Sequence, residues 1–280
     1  VISRRALAIG LGALWPAAAS SAQTPLLLLS GEPIQGGGLI GRTRPRARIL
    51  IDGQPVGYAS AYGLFFVGFD RDAKPDTVIT AETSDGPASR ALTVAPGSFD
   101  IQAIDGLPTD QVTPQDPALL IRIGEEARRK QAGFANWADT DDFRDGFSMP
   151  VAATRISGRF GGQRILNGNP SRPHYGTDLA APVGAPVIAP APGLVVFSET
   201  GLHFEGGLVL IDHGQGLISA YLHMSRLDTA KGDVLRRGDP IGAVGQEGRA
   251  TGPHLCWRLK WHERNLDPMR LVGISAPAAA

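Results

Sequence analysis

Between Leu26 and Val94 apolar and polar positions alternate in short runs, RARILI, GLFFVGF and DTVITAET, broken by the steps Asp52-Gly53 and Asp85-Gly86. A period of two sends successive side chains to opposite faces of a strand, and Asp-Gly supplies the tight turns between strands. The pattern predicts a small β-sandwich of immunoglobulin-like type over residues 26–100. It holds no cluster of His, Cys or paired acids, which favours a structural or binding module over a catalytic one.

The rhythm then changes. Residues 95–115, rich in Pro, Asp and Thr, open a linker that extends over 101–149. Within it Asp116 can cap a helix with Pro117 in its first turn, and Leu119, Leu120, Ile123 and Ala127 recur at helical spacing, giving a helix over about 117–131. Arg128, Arg129 and Lys130 suit the negative end of its dipole. Residues 133–150 are polar and irregular, a loop able to lie across the next domain and cover a groove there. From Pro150 short strands and tight turns return and define a second domain over 150–272, with 273–280 a disordered tail. The fold class is therefore mostly β: an N-terminal sandwich, a connector helix and a C-terminal antiparallel β domain.

All six histidines fall in the second half. In HLCWRLKW, Leu255, Trp257, Leu259 and Trp261 alternate with His254, Cys256, Arg258 and Lys260, so one face is core and the other is expected to be wet. A space-filling cysteine belongs among the tryptophans; Cys256 instead shares the polar face with His254. In SAYLHMS, Ser219, Tyr221 and His223 share a face opposite Ile218, Ala220, Leu222 and Met224. His174 and Asp178, four apart in RPHYGTD, lie beside Pro173 and Gly176, which favour a turn entering a strand rather than a helix. Imidazole and carboxylate followed by a distant third ligand on a strand suit a catalytic zinc site with water in the fourth position.

Composition narrows the field. Gly 36 and Pro 22 exceed what a helical protein carries, while 27 basic and 27 acidic residues leave no net charge to favour nucleic acid or an anionic membrane. The N-terminus, with Arg4-Arg5, an apolar stretch and small residues up to Ala22, has the pattern of a secretory signal peptide over 1–22, too short for a stable membrane anchor. Cys256 is the single cysteine, so no internal disulfide forms.

PHYGTDLAAPVGAPVIAPAPGLVVF, GLVLIDHGQGLISAYLHMS and GDPIGAVGQEGRATGPHLCWRL together resemble the lysostaphin-type, or LytM-domain, zinc metallopeptidases, over about Ser157 to Pro268. The resemblance implies a compact antiparallel β fold (LytM-like, duplicated hybrid motif) with its site in a groove, one zinc ion per chain, and endopeptidase activity on peptidoglycan stem peptides in the periplasm or outside the cell. There the D-alanyl-diaminopimelate cross-link is the expected bond. By position, His174 and Asp178 match the family's first two zinc ligands and His223 and His254 its catalytic histidines. The family's third ligand is the second histidine of an HxH motif, and this chain has Cys256 there. A thiolate beside Asp178 lowers the formal site charge from +1 to 0, so a weaker Lewis acid and lower activity near neutral pH are expected. Tyr175 and Tyr221 either pack or lend a hydroxyl to the groove; His203, His213 and His262 match no ligand position.

Two rivals accompany this reading. One is a catalytically weak or inactive LytM-type domain that binds and activates other cell-wall hydrolases. The other is a biotinyl- or lipoyl-type carrier, for which Lys231, in TAKGD, is poorly placed and the histidines go unexplained.

Overall fold

A computed structural model describes residues 26–278; the expected signal peptide lies outside them. Seven strands come first, β1 (Leu28–Ser30), β2 (Gly38–Arg42), β3 (Arg48–Ile51), β4 (Gln54–Tyr58), β5 (Leu64–Gly68), β6 (Asp76–Thr83) and β7 (Gly86–Thr93). They form two antiparallel sheets ordered β1-β2-β5 and β4-β3-β6-β7. Strand β6 carries the alternation into burial: Thr77, Ile79 and Ala81 are buried, while Asp76, Val78 and Glu82 are exposed. Strand β5 is buried throughout. The second half of the chain covers it, with Phe66 edge-on to Phe143 at 5.7 Å and to Trp261 at 5.9 Å.

The linker forms β8 (Ile101–Ile104), a single turn α1 (Thr109–Val112) and helix α2 (Pro117–Phe134). The Asp116 carboxylate accepts from the Ala118 N–H at 2.9 Å and starts α2, with Pro117 where a missing N–H costs nothing. The helix runs three residues past the expected end. Its inward face carries Leu119, Ile123, Glu126, Lys130 and Gly133, whereas Leu120 and Ala127 are exposed. Tertiary ion pairs choose that face. Lys130 meets Glu205 at 2.6 Å, and Glu126 accepts from the His203 N–H at 2.9 Å.

The second half contains β9 (Arg155–Gly158), β10 (Gln163–Leu166), β11 (Asn169–Pro170), β12 (Thr177–Ala180), β13 (Pro186–Ile188), β14 (Gly193–Leu202), β15 (Gly206–Asp212), β16 (Leu217–Leu227), β17 (Val234–Leu235), β18 (Pro240–Val244), β19 (His254–Trp261) and β20 (Arg264–Leu266). The main sheet runs β17-β14-β15-β16-β19-β12-β9, with β13 and β18 joined to β16 and β20 to β19. Strand β8 pairs in parallel with β10, so the linker returns to flank this domain.

Both faces of the main sheet are covered. One carries Val209, Tyr221, Leu255, Trp257 and Trp261 in a core continuous with the sandwich. The other carries Leu208, Leu210, Ile218, Ala220, Leu222 and Cys256 with Phe134 of α2 against them. The face of β19 expected to be wet is therefore apolar at Cys256, which is 1% exposed. Nor are residues 273–278 a free tail: the Ala276 N–H donates to the Arg144 carbonyl, and Arg42 Nε to that of Pro277, each at 2.7 Å. No described helix is long and apolar enough to cross a membrane.

Candidate metal centre and its cleft

Strand register brings the predicted residues together. On β12 and β19, Asp178 lies directly opposite Cys256 and Ala180 opposite His254; on β16, Leu222 lies opposite Cys256. Asp178, Cys256 and His254 thus share one face. His174 precedes β12 in an ordered loop, its N–H donating to the Gly162 carbonyl at 2.8 Å and its carbonyl accepting from Gly161 at 2.7 Å.

His223 arrives by a different device. Regular alternation would send it to the Tyr221 side, as the sequence pattern implies. Its φ is +67°, however, and the β15–β16 pairing slips between Gly207 and Val209. This left-handed bulge turns the side chain to the other face, where its ring centroid is 4.8 Å from that of His254. Met224, next along, consequently joins the core that holds Tyr221.

His174, Asp178 and Cys256 present ligand atoms that all lie within 4.8 Å of one another. His174 Nε2 is 3.1 Å from Asp178 Oδ1 and 3.4 Å from Cys256 Sγ. Oδ1 is buried yet accepts no hydrogen bond among the described residues. Two buried polar atoms in contact but not aligned as donor and acceptor are what ligands of a common cation look like. Imidazole, carboxylate and thiol are all zinc-capable donors, so the residues fit a single zinc ion. One departure is His174 Nδ1, buried without a partner, where a metal-bound imidazole ordinarily donates.

Burial alone would raise the Asp178 carboxyl, but the His174 and His254 rings and Arg164 hold it well below the usual carboxylate range. Burial lowers His174, which favours the neutral ring a metal requires. Burial, reinforced by the Asp178 charge, pushes the Cys256 thiol up to about 12. His223 is lowered to about 3, by burial first and the neighbouring His254 second. Its Nδ1 donates to the Glu247 carbonyl at 2.7 Å, and His254 Nδ1 donates to that of Gly252 at 2.8 Å. These carbonyl partners assign a proton to Nδ1 in both rings, and in His223, which burial keeps neutral, they leave Nε2 as the free base.

Several contributors escape a reading of the sequence. Arg164 Nη2 donates to Asp178 Oδ2 at 3.2 Å, and Arg258 Nε donates to Cys256 Sγ at 3.4 Å. Arg258 was legible as a neighbour of Cys256 on one strand face, but Arg164 had no local signal. A Cβ on Gly158 would sit 2.4 Å from Asp178 Oδ2, and one on Gly176 would sit 3.0 Å from Cys256 Sγ and 2.7 Å from Arg258 Cγ. Those two glycines make room for the ligands. The cleft above is lined by Asp178, His223, His254, Arg164 and Arg249, and walled by Gln102, Ile104 and Leu107. The covering segment is thus β8 and its continuation rather than residues 133–150, which bury Phe143 and Phe147 in the core.

The remaining candidates lie elsewhere. Tyr221 is fully buried on the opposite face, its hydroxyl 2.8 Å from Ser219 Oγ, which is 2.7 Å from His213 Nε2. Tyr175 lines a separate cleft with Asp52 and Lys74. His203 and His262 are half-buried and outside the ligand cluster.

A buried His/Asp/Cys cluster on an antiparallel sheet, with two imidazoles beside it, has the donors of a metal centre. Residues 172–268 match the Peptidase family M23 model, and this segment is an M23, LytM-type, domain. Over 99 residues the chain is 40% identical to the peptidoglycan DD-endopeptidase ShyA of Vibrio cholerae, covering 35% of this chain and 23% of that protein. Over 130 residues it is 37% identical to the DD-carboxypeptidase/endopeptidase Mpg of Neisseria meningitidis, covering 46% of this chain and 30% of that one. The alignments thus span about a quarter to a third of these relatives. A solved structure from Pseudomonas aeruginosa, described as a candidate peptidase M23, superposes with a TM-score of 0.65 at 28% identity, over 86% of this chain and 96% of that one. That likeness extends well beyond the M23 segment.

Proposed function

We propose that this protein is an exported zinc endopeptidase that hydrolyses peptide cross-links of bacterial peptidoglycan. His174, Asp178 and Cys256 are its metal ligands, and His223 and His254 its catalytic groups. The observation that carries this reading is the convergence of three zinc-capable side chains and two imidazoles from three separated chain segments beside one cleft, inside an M23 domain. The names of the relatives support the substrate.

Bound zinc supplies Lewis acidity and an activated water. The chain does the rest. His223 and His254, each with its proton on Nδ1, offer Nε2 to accept a proton from the attacking water and return it to the leaving amine. Arg164 and Arg258 brace two of the ligands through Oδ2 and Sγ. The wall made by β8 confines the substrate to an extended strand.

Digesting purified peptidoglycan and identifying the released muropeptides tests the proposal. The expected products come from scission of the D-alanyl-diaminopimelate cross-link, are lost with a chelator, and are lost in His254→Ala. A zinc-loaded protein that releases nothing but stimulates a purified amidase would overturn it in favour of an activator role.

A further inference from the structure

Arg249 lines the cleft and makes no ion pair among the described residues. Its Nη1 donates to the Gln111 carbonyl at 3.1 Å and its guanidinium stacks on Phe204 at 4.8 Å. Nε and Nη2 donate to nothing among the described residues, and neither is sealed from solvent. The side chain is therefore fixed at one end by backbone and ring, with the other half of its donor fork open.

The charges around it do not balance. Asp178 is the one carboxylate lining the cleft, and Arg164 already contacts it. Glu205, the acid whose charge acts on Arg249, pairs with Lys130 at 2.6 Å. Arg258 lies beneath, against Cys256. Burial first, and then the charges of Arg164 and Arg258, lower the proton affinity of Arg249. With zinc, carboxylate and thiolate summing to zero, the three guanidiniums leave the cleft cationic; without zinc and with the thiol protonated it remains so. A concave site with excess positive charge and an open planar donor pair attracts a carboxylate.

We propose that Arg249 is a specificity residue that binds a free carboxylate of the substrate within one residue of the scissile amide. The substrate class is thus an acidic cross-linked peptide rather than one whose carboxyls are amidated. This rests on the endopeptidase reading. A merely structural Arg249, latching residue 111 and stacking on Phe204, would treat both forms alike.

The test uses the full zinc-loaded chain and two synthetic cross-linked stem peptides that differ only in that carboxylate, free in one and a carboxamide in the other. Wild type is expected to favour the acid by about tenfold or more in kcat/KM, mostly through KM. In Arg249→Gln the two peptides become equivalent, while Arg249→Lys keeps part of the preference because it retains charge but not the fork. Calorimetric binding of both peptides to the metal-free chain gives the same comparison without catalysis. Equal handling of acid and amide by wild type, or an unchanged ratio in Arg249→Gln, overturns the proposal. If neither peptide is cut yet wild type binds the acid more tightly and Arg249→Gln does not, the endopeptidase reading is overturned, and with it the place of the carboxylate beside a scissile amide, while the carboxylate contact at Arg249 stands.

Discussion

Cys256 and Arg258 form a pair, and their partnership alters what a single substitution can do. Restoring a histidine by Cys256→His removes the thiolate that faces Arg258 Nε and leaves a buried guanidinium beside a neutral ring and a cation. Cys256→His alone should therefore bind zinc more weakly than wild type. Cys256→His with Arg258→Gln should recover affinity, with a coupling of about 1–3 kcal/mol in a double-mutant cycle read by zinc competition; additive losses would refute the pairing. A second residue-scale prediction concerns His213, lowered to about 4 mainly by burial. The unfolded chain takes up a proton near pH 6.5 that the folded ring refuses until about pH 4, so stability falls as pH drops through that window and levels off below it. The full effect is on the order of 3 kcal/mol. Urea unfolding of wild type and His213→Gln at pH 7 and pH 5, both with chelator, should find the acid loss smaller in the variant. At this scale His174, Asp178 and His254 were legible because their neighbours fix a strand register. Cys256 does share a face with His254, but the wet surroundings expected for it fail, since it is buried against apolar neighbours such as Leu222. Arg164 was illegible because β10, which carries it, is aligned by pairing with β8, about sixty residues earlier.

Strand β16 brings His223 to the cleft through one backbone irregularity. A histidine at φ +67° occupies a region that costs an L-residue roughly 1–2 kcal/mol. His223→Gly should accordingly be more stable than His223→Ala by about 1 kcal/mol in chemical unfolding, although both lose peptidase activity. Equal stabilities would mean that the surrounding sheet, not the residue, absorbs the strain. A period-two reading cannot see a bulge, because the residue types around it, Tyr221, Leu222 and Met224, suit either face. Helix α2 was legible in type and start from Asp116 and Pro117. Its buried face was not: partners in the turn between β14 and β15, His203 and Glu205, select Glu126 and Lys130 for the inside, against their hydropathy.

Across the whole molecule the two β units share one apolar cluster, joined where Phe66 meets Trp261 and Leu266 packs against Gly68. The chain should unfold in a single transition, and Leu266→Ala should lower that transition as a unit by about 2–5 kcal/mol rather than split it. Scanning calorimetry distinguishes the outcomes. A fragment of residues 150–280 would lose Phe66, α2 and the β8 wall together, so its stability should fall along with any change in cleavage. The alternating runs announced two β units, but contacts between positions some two hundred residues apart leave no local trace, and their fusion was not legible. Direct cross-strand pairing of Asp178 with Cys256 has a last consequence. The spacing of these donors is set by the sheet's own repeat rather than by the length of any connection. The segments rimming the cleft are therefore free to lengthen, shorten or exchange while the donors stay in register, which, on the proposed function, would separate the means of holding the ion from the means of choosing the peptide.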